Sequence, residues 1–345
     1  MEKYILNETP VKTTSNFKIN DIKVDLDIPK EYHFHQFDIK GDISKLEFSI
    51  EEGKGLESKI GLEFDKSLNL NIKVKKQVVV EKPIYITYNF NENDNLINNI
   101  KIHLEENSKA SFIFKYKSLT NEKNFNHIKE IVIGEKNSKA NITILNLLNE
   151  NSNNFIGIEL EEYENSDIKH NIIDLGGNIS ISNVYGELLE YNSTHYLNNI
   201  YFGNKNDKLD MNYHIKNIGN SSKNYINVEG ALTDNSIKHF KGTIDFIKGA
   251  SKSIGEENEN CILLSDTCKS RSLPMLLCNE ENVEGAHGVS SGKIDFTKLF
   301  YLMSRGLSEK ESEKLLVVAN FNKIIKEIND EETEKEVLDI INTLI

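Results

Sequence analysis

The sequence has no tryptophan, only four prolines and only three cysteines in 345 residues. Cys261, Cys268 and Cys278 are an odd number crowded into one short segment, which suits reduced thiols better than a disulfide framework. Basic residues are not in excess either, since the formal net charge is −13 and the pI is about 5.3. Because phosphate backbones and anionic membranes attract basic surfaces, we expect neither nucleic acid nor membrane as a partner.

Long apolar runs are also missing. Residues 1–17 contain no stretch that fits a signal peptide, and no run elsewhere approaches the roughly 18 residues that a membrane-spanning helix needs. We therefore expect a cytoplasmic protein. The chain is long enough to bury a core without disulfides or metals as staples.

What the sequence does have is a repeat. EENSKASFIF recurs as GEKNSKANITI, which places Asn107 and Asn137 thirty residues apart. An Asn or Asn-Ser step then marks nearly every fourteenth residue, at Asn137, Asn151, Asn165, Asn178, Asn192, Asn206, Asn220 and Asn235. Asn favours turns because it tolerates left-handed backbone dihedrals.

Apolar and polar residues alternate after many of these steps, as at Ala140, Ile142 and Ile144, which indicates strands with one buried face. Two such strand and turn units make a coil of about 28 residues, which must stack on its neighbours to bury its inner face. We therefore predict a mainly β fold, a right-handed parallel β-helix. An antiparallel sandwich or barrel is the alternative, and the regular spacing favours the β-helix.

A helical period replaces the alternation near Asp295. Apolar residues on one predicted helix face are followed by a glycine placed to end the helix: Phe296, Leu299, Phe300, Met303 and Gly306. Ser308 and Glu311 form the capping box of a second helix, and a third begins near Asp330.

We divide the chain into an N-terminal segment, 1–45, that leads into the solenoid, a β-helix core, 46–294, and a C-terminal helical domain, 295–345. The helices have two possible physical roles. They cap the open end of the solenoid, or they present an apolar stripe to another protein.

The C-terminal third carries a resemblance over residues 240–321. HFKGTIDFIKGASKS, CILLSDTCKSRSLPML and NVEGAHGVSSGKIDFTKLFYLMSRGL are similar to the SufB/SufD family of iron-sulfur cluster assembly proteins. The most specific pieces are LLS followed by Pro274, the AHG step at His287, and LFYLMSRG ending at Gly306. TPVKTTSNFKIN near the start resembles a weak version of the segment that leads into the family's β-helix.

The resemblance implies a subunit that is not an enzyme and that pairs with a SufB-like homologue, or with a second copy, through the C-terminal part of the β-helix. Its C-terminal helices would bind a SufC-type ABC ATPase, and the candidate residues for that contact are Phe300, Tyr301, Leu302, Arg305 and Gly306. The chain itself is not expected to bind ATP, because Gly176-Gly177 lacks the Lys-Ser/Thr of a phosphate loop and any GxGxxG frame.

The same resemblance implies a transient iron-sulfur cluster shared between subunits, with Cys268 and His287 as its candidate ligands. Thiolate and imidazole groups hold iron in such clusters, and a scaffold that releases its cluster needs few of them. Gly288 follows the histidine as in SufD-type members, where SufB-type members have Glu. We therefore favour the SufD side of the family, while Cys268 retains a SufB-like feature.

The other cysteines and histidines carry simpler expectations. Cys261 is followed by apolar residues and Cys278 is preceded by them, so we expect both to be buried as small hydrophobes. The small neighbours of His287 should leave its imidazole exposed. The remaining histidines are expected at the surface: His33, His35, His103, His127, His170, His195, His214 and His239.

Two other functions remain open. The chain could be the sole SufB-like scaffold of a homodimeric two-component system, which Cys268 favours. It could also be an exported, carbohydrate-active β-helix protein, but its acidic residues show no paired spacing of the kind that glycoside hydrolysis needs, and no export signal is visible.

Overall fold

The computed structural model describes residues 2–13, 17–34 and 36–345. In chain order the strands are β1 (Glu2–Leu6), β2 (Ile22–Leu26), β3 (Phe37–Lys40), β4 (Leu46–Ser58), β5 (Leu62–Val74), β6 (Ile84–Phe90), β7 (Asn95–Leu104), β8 (Lys109–Ser118), β9 (Phe125–Gly134), β10 (Lys139–Leu147), β11 (Asn153–Glu162), β12 (Asp167–Asp174), β13 (Ile179–Leu188), β14 (Thr194–Gly203), β15 (Lys208–Asn217), β16 (Lys223–Leu232), β17 (Ile237–Phe246), β18 (Ile254–Leu263), β19 (Lys269–Cys278) and β20 (Glu284–Lys293). The helices are α1 (Phe296–Ser304), α2 (Glu309–Ile325) and α3 (Glu331–Leu344).

Two nine-stranded sheets form the body. The first sheet has the order β4, β5, β7, β9, β11, β13, β15, β17, β19, and the second has the order β3, β6, β8, β10, β12, β14, β16, β18, β20. From β5 and β6 onward every pairing is parallel, so the chain alternates between the sheets. The result is a β-solenoid of about eight turns. The predicted parallel β-helix is confirmed, and the antiparallel alternative is wrong.

The length of a coil can be followed along the second sheet. Lys109, Lys139, Asp167 and Thr194 are stacked in successive strands, 30, 28 and 27 residues apart. These spacings confirm the predicted coil of about 28 residues. The alternation is confirmed as well, because Ile142 and the other inward positions of these strands are buried.

Asparagines form the turns because their backbone can adopt the left-handed conformation. Asn107, Asn137, Asn165 and Asn192 have φ values of 60°, 58°, 55° and 55°. The Asn137 amide donates to the Asn107 Oδ1 at 2.9 Å, and Asn192 donates to the Asn165 Oδ1 at 2.9 Å. The repeat therefore stacks its turns as well as its strands.

The two ends of the solenoid differ. At the N-terminal end, β3 pairs antiparallel with β6 and β4 pairs antiparallel with β5. At the C-terminal end, β19 and β20 are the last strands of their sheets, and every residue of β20 is exposed. The described part of the chain thus leaves a parallel strand edge open at this end only.

The strands β1 and β2 of the N-terminal segment form an additional layer on the outer face of the first sheet, whereas β3 belongs to the second sheet. β1 and β2 pair antiparallel, and Leu6, Ile22 and Val24 pack in one cluster with Phe125 and Phe155. This segment contains β1, β2 and β3, which the sequence pattern did not indicate. Residues 14–16 of TPVKTTSNFKIN lie outside the described residues.

The predicted helix starts are confirmed. Asp295 caps α1 by accepting from the Thr297 backbone N–H at 2.8 Å, and Ser308 and Glu311 form the complete capping box of α2. Asp330 caps α3. Among the described residues, no helix has both the length and the apolar composition that crossing a membrane requires.

The expectation that the helices cap the open end is wrong for α2 and α3. They lie on the outer face of the second sheet, where Phe321 and Val337 join one apolar cluster with Leu145, Ile173 and Ile200. The reason is that the outward positions of these central strands are apolar and require cover. The helix α1 takes no part in this packing, and none of its residues is buried.

Candidate functional site

The open end of the solenoid presents His287 on its last strand. His287 lies on β20, directly beside Glu257 of β18 in the parallel ladder. Paired residues of adjacent strands point to the same side of a sheet, so the imidazole stands over the side chain of Glu257 at the end of the solenoid interior. His287 is exposed, as the sequence predicts.

Glu257 is a buried carboxyl group directly below this open end. Neither of its carboxylate oxygens accepts a hydrogen bond from the described part of the protein. Burial, followed by the nearby carboxylate of Glu259, raises the pKa of Glu257 from 4.5 to about 8. The space it occupies exists because residue 242 is glycine, where a Cβ atom would lie 2.3 Å from the carboxylate.

A second set of buried polar groups surrounds Glu259, two residues after Glu257 on β18. Lys238 of β17 forms an ion pair with Glu259 of β18, and both side chains are completely buried. The Tyr201 hydroxyl donates to the Glu259 Oε1 at 3.1 Å, and Lys238 Nζ donates to the Ser272 Oγ at 2.8 Å. Lys238 is thereby fixed between two neighbouring coils.

This interior cluster was not predicted, although the sequence contains a signal for it. Lys238 shares one strand face with Phe240 and Ile244, both of which are buried. A charged residue at an inward position of a period-two pattern predicts a buried, paired charge, because an unpaired one is too costly.

The three cysteines have different environments, and all three are free thiols. Cys261 is buried beside this cluster, as expected, and burial raises the pKa of its thiol. Cys268 lies in the turn before β19, is 8% exposed, and its thiol donates to the Ser265 carbonyl at 3.2 Å. Cys278 is exposed, so the expectation that it is buried is wrong. Cys278 is the last residue of β19, and β19 is the edge strand of its sheet at the open end, so no further strand covers it.

Cys268 and His287 lie at different ends of the last coil. Lys293, the final residue of β20, forms an ion pair with Asp266, two residues before Cys268. His287 is six residues earlier on the same strand, or about 20 Å away at about 3.3 Å per residue. No group of three or more metal-ligating side chains forms anywhere in the described ranges. One copy of the chain therefore does not bring the two candidate ligands to one ion.

Three histidines contradict the expectation of surface positions. His127, His170 and His195 are all completely buried, and His35 lies outside the described residues. Inside the solenoid, His170 contacts Glu130 at 2.9 Å and His195 contacts Glu162 at 2.7 Å. Burial lowers the pKa of His127 to about 3 and that of His195 well below its usual value. These rings are structural hydrogen-bonding groups of the core.

The helix α1 exposes the residues expected to contact a partner. Phe300 is 62% exposed and Tyr301 is 56% exposed, while Leu302 is half-buried. The Arg305 guanidinium lies 5.3 Å from the centre of the Tyr301 ring. Gly306 ends the helix with φ at 99°, a conformation that favours glycine. The exposed apolar face of α1 is thus followed by the positively charged side chain of Arg305.

Comparison with known proteins gives a family match over most of the chain. A family model described as SUF system FeS cluster assembly, SufBD core domain, matches residues 87–320. The chain is 27% identical over 276 residues to the iron-sulfur cluster assembly protein SufD of Bacillus subtilis, which covers 78% of this chain and 62% of that protein. It is 24% identical over 240 residues to SufD of Escherichia coli, covering 69% of this chain and 56% of that protein. The chain thus spans about three fifths of the length of these curated relatives.

Proposed function

Because the chain belongs to the SufBD core family of the SUF iron-sulfur cluster assembly system, we propose that it is a non-catalytic subunit of a cluster assembly scaffold. In this proposal it has the SufD role, pairs with a SufB-like subunit at the open end of the solenoid, and binds a SufC-type ABC ATPase through α1. The observation that carries the proposal is the exposed end of the solenoid beside an exposed apolar helix.

The open end supports pairing with a second subunit. The last strand presents unpaired backbone groups and no burial at any position, and such an edge is a template for another chain. Natural β-proteins normally cover or charge their edges. A partner solenoid that meets β20 would satisfy these groups and enclose His287 and Glu257.

The helix α1 supports ATPase docking. Phe296 and Phe300 stack one turn apart with ring centres 6.2 Å from each other, and their exposed fractions are 75% and 62%. Aromatic residues with an adjacent arginine are the side chains that dominate protein interfaces. The remaining candidates, Leu302 and Gly306, fix the position and the end of this helix.

Co-purification with a SufC-type ATPase tests this contact. We expect Phe300→Asp and Arg305→Glu each to weaken binding by at least about tenfold, because each places an unmatched charge in a desolvated interface. Leu315→Asp is the control, since Leu315 is 47% exposed on the neighbouring helix α2. Equal binding by Phe300→Asp and the control would place the ATPase contact elsewhere.

The iron-sulfur cluster is the cargo of such a complex, and His287 is the ligand of this chain that fits it best. Its imidazole is exposed at the edge where a partner would add further ligands, and imidazole is an iron ligand. Cys268 is a weaker fit in the isolated chain, because it is buried and its thiol is held by the Ser265 carbonyl. Pairing would have to uncover it.

Anaerobic reconstitution of the complex tests the ligands. His287→Ala is expected to reduce the cluster absorption per complex while the unfolding midpoint of the chain stays unchanged, because the imidazole is exposed. His103→Ala removes another imidazole with partial exposure and serves as the control. Undiminished reconstitution with both His287→Ala and Cys268→Ala would remove the ligand proposal.

A homodimeric scaffold is the second candidate, since Cys268 is present. In that case the chain and the ATPase alone would form a complex with two copies of each and would acquire a cluster. The mass of the complex, measured with and without a SufB-like subunit, separates the two candidates.

A further inference from the structure

A basic cleft lies on the outside of the solenoid, between the N-terminal segment and the first sheet. Its volume is about 620 Å³, within the range of about 300–1,000 Å³ that is typical of small-molecule sites. The charged and titratable side chains that line it are Lys18, Lys23, Lys208, Arg271, His239 and Asp21. Four cations thus face one carboxylate on a chain whose net charge is −13.

The lysines and the arginine of this basic cleft have no ion-pair partner in the described part of the protein. None of the three lysines forms an ion pair with a carboxylate of residues 2–13, 17–34 or 36–345. In the described ranges, the Arg271 guanidinium donates to the His239 Nε2 at 3.1 Å and to the Lys18 carbonyl at 3.5 Å. The site therefore has positive charge and free hydrogen-bond donors available for an anion.

A buried network below the cleft fixes this arrangement. Asp210 is completely buried, and its Oδ1 contacts Lys241 Nζ at 2.5 Å. Its Oδ2 accepts from the Nδ1 of His239 at 3.3 Å. Because arginine can only donate, the Nε2 of His239 accepts from the Arg271 guanidinium at 3.1 Å. Asp210 is thus matched by Lys241 and does not neutralise Arg271.

The floor of the basic cleft is apolar. Ile22 is buried there, and Ile237 is partly buried in the same cleft. An inorganic anion would leave this surface uncovered. A ligand with an anionic group and an apolar body would use both parts of the cleft.

A second cleft, at the outer side of the second sheet beside α3, provides a contrast. It has a volume of about 740 Å³ and is lined by equal numbers of basic and acidic side chains: Lys40, Lys45, Lys82, Lys115, Asp42, Glu81, Asp330 and Glu332. Tyr85 donates to Asp330 there at 2.7 Å. This balanced cleft has no excess charge to attract an anion.

We propose that the basic cleft binds a small organic phosphate, a phosphomonoester joined to a ring-containing body. The guanidinium of Arg271 can bind a phosphate through two parallel hydrogen bonds, and Lys208 and Lys23 add charge on either side. A phosphomonoester carries about −1.5 to −2 charges at neutral pH, which suits the excess positive charge. The ring-containing body would lie on the apolar floor. This inference does not depend on the proposed scaffold function, because neither α1 nor the open end contributes to the cleft.

Isothermal titration of the 345-residue chain in about 0.15 M salt tests the proposal, a salt level that screens weak surface attraction. The probes are AMP, adenosine, ribose 5-phosphate and citrate. We expect AMP to bind with a Kd below about 1 mM, ribose 5-phosphate to bind more weakly, and adenosine not to bind. Tighter binding of citrate than of AMP would assign the cleft to carboxylates and would overturn the phosphate proposal.

A pair of double variants locates the binding. Lys208→Gln with Arg271→Gln should weaken AMP binding at least about tenfold. Lys40→Gln with Lys82→Gln removes the same charge from the balanced cleft and should change the affinity less than about twofold. All four residues are exposed, so the variants should unfold at the midpoint of the parent chain. Absence of AMP binding, or equal losses in the two double variants, would overturn the proposal.

Discussion

The carboxyl group of Glu257 should make the stability of the chain depend on pH, and the effect can be calculated. Its folded-state pKa is about 8 against an ordinary value of 4.5. Between these values the folded chain holds one proton more than the unfolded chain, so the free energy of unfolding falls as the pH rises. The contribution of the group is fully present below pH 4.5 and is lost as the pH passes about 8. Integration from pH 5 to pH 8 gives a loss of about 3.5 kcal/mol, at about 1.4 kcal/mol per unit.

Glu257→Gln removes this titration while keeping the shape of the side chain. Urea unfolding at fixed pH values between 5 and 8 should therefore show the variant gaining about 3.5 kcal/mol relative to the parent chain as the pH rises. Asp174 and Asp207, whose pKa values burial raises to about 6 and about 7, titrate in both proteins and cancel in the difference. Glu256→Gln, on the exposed face of the same strand, controls for the substitution of a glutamate by glutamine in β18. If the free energies of unfolding of Glu257→Gln and the parent chain changed equally with pH, the assignment of a protonated, buried carboxyl group would be refuted.

The other predictions concern packing, ion pairing and capping, and urea midpoints measure each of them. Phe321→Ala should destabilise the chain by about 3–5 kcal/mol, because the ring is completely buried between α2 and the second sheet and its removal leaves a cavity. Lys238→Met should cost about 3–5 kcal/mol by leaving Glu259 buried without its partner, and adding Glu259→Leu should recover part of the loss. Ser308→Ala should cost about 1 kcal/mol through loss of the capping box.

Local sequence patterns predicted the features whose causes are local. The period of the coil follows from the spacing of Asn107 and Asn137, and both occupy left-handed turns. The start of α2 follows from Ser308 and Glu311, because a capping box needs only two residues three positions apart. In each case the determining contacts lie within one strand, turn or helix end.

Features that depend on distant contacts were not predicted. Cys278 follows an apolar run, yet it is exposed because β19 is the last strand of its sheet. His170 and His195 looked like scattered surface residues, yet they are buried beside glutamates of other coils. The partner of Lys238 is 21 residues away along the chain. A period-two pattern predicts which face of a strand a side chain lies on. The residue that it contacts depends on how the coils stack, which the pattern does not contain.

The difference between the two ends of the solenoid connects the fold with the proposed assembly. The antiparallel pairs β4 with β5 and β3 with β6 end the parallel ladders at the N-terminal end, and long charged side chains such as Lys75 and Glu47 form an ion pair across the first of them. At the other end the ladders stop at strands that continue the parallel register, with a neutral run, Gly285 to Gly292, along the β20 edge. An edge strand without charged side chains favours strand addition, whereas charged side chains along an edge oppose it. In the proposed assembly two solenoids would meet at their C-terminal ends, and the antiparallel strands at the N-terminal ends would not continue the parallel ladders into a third solenoid.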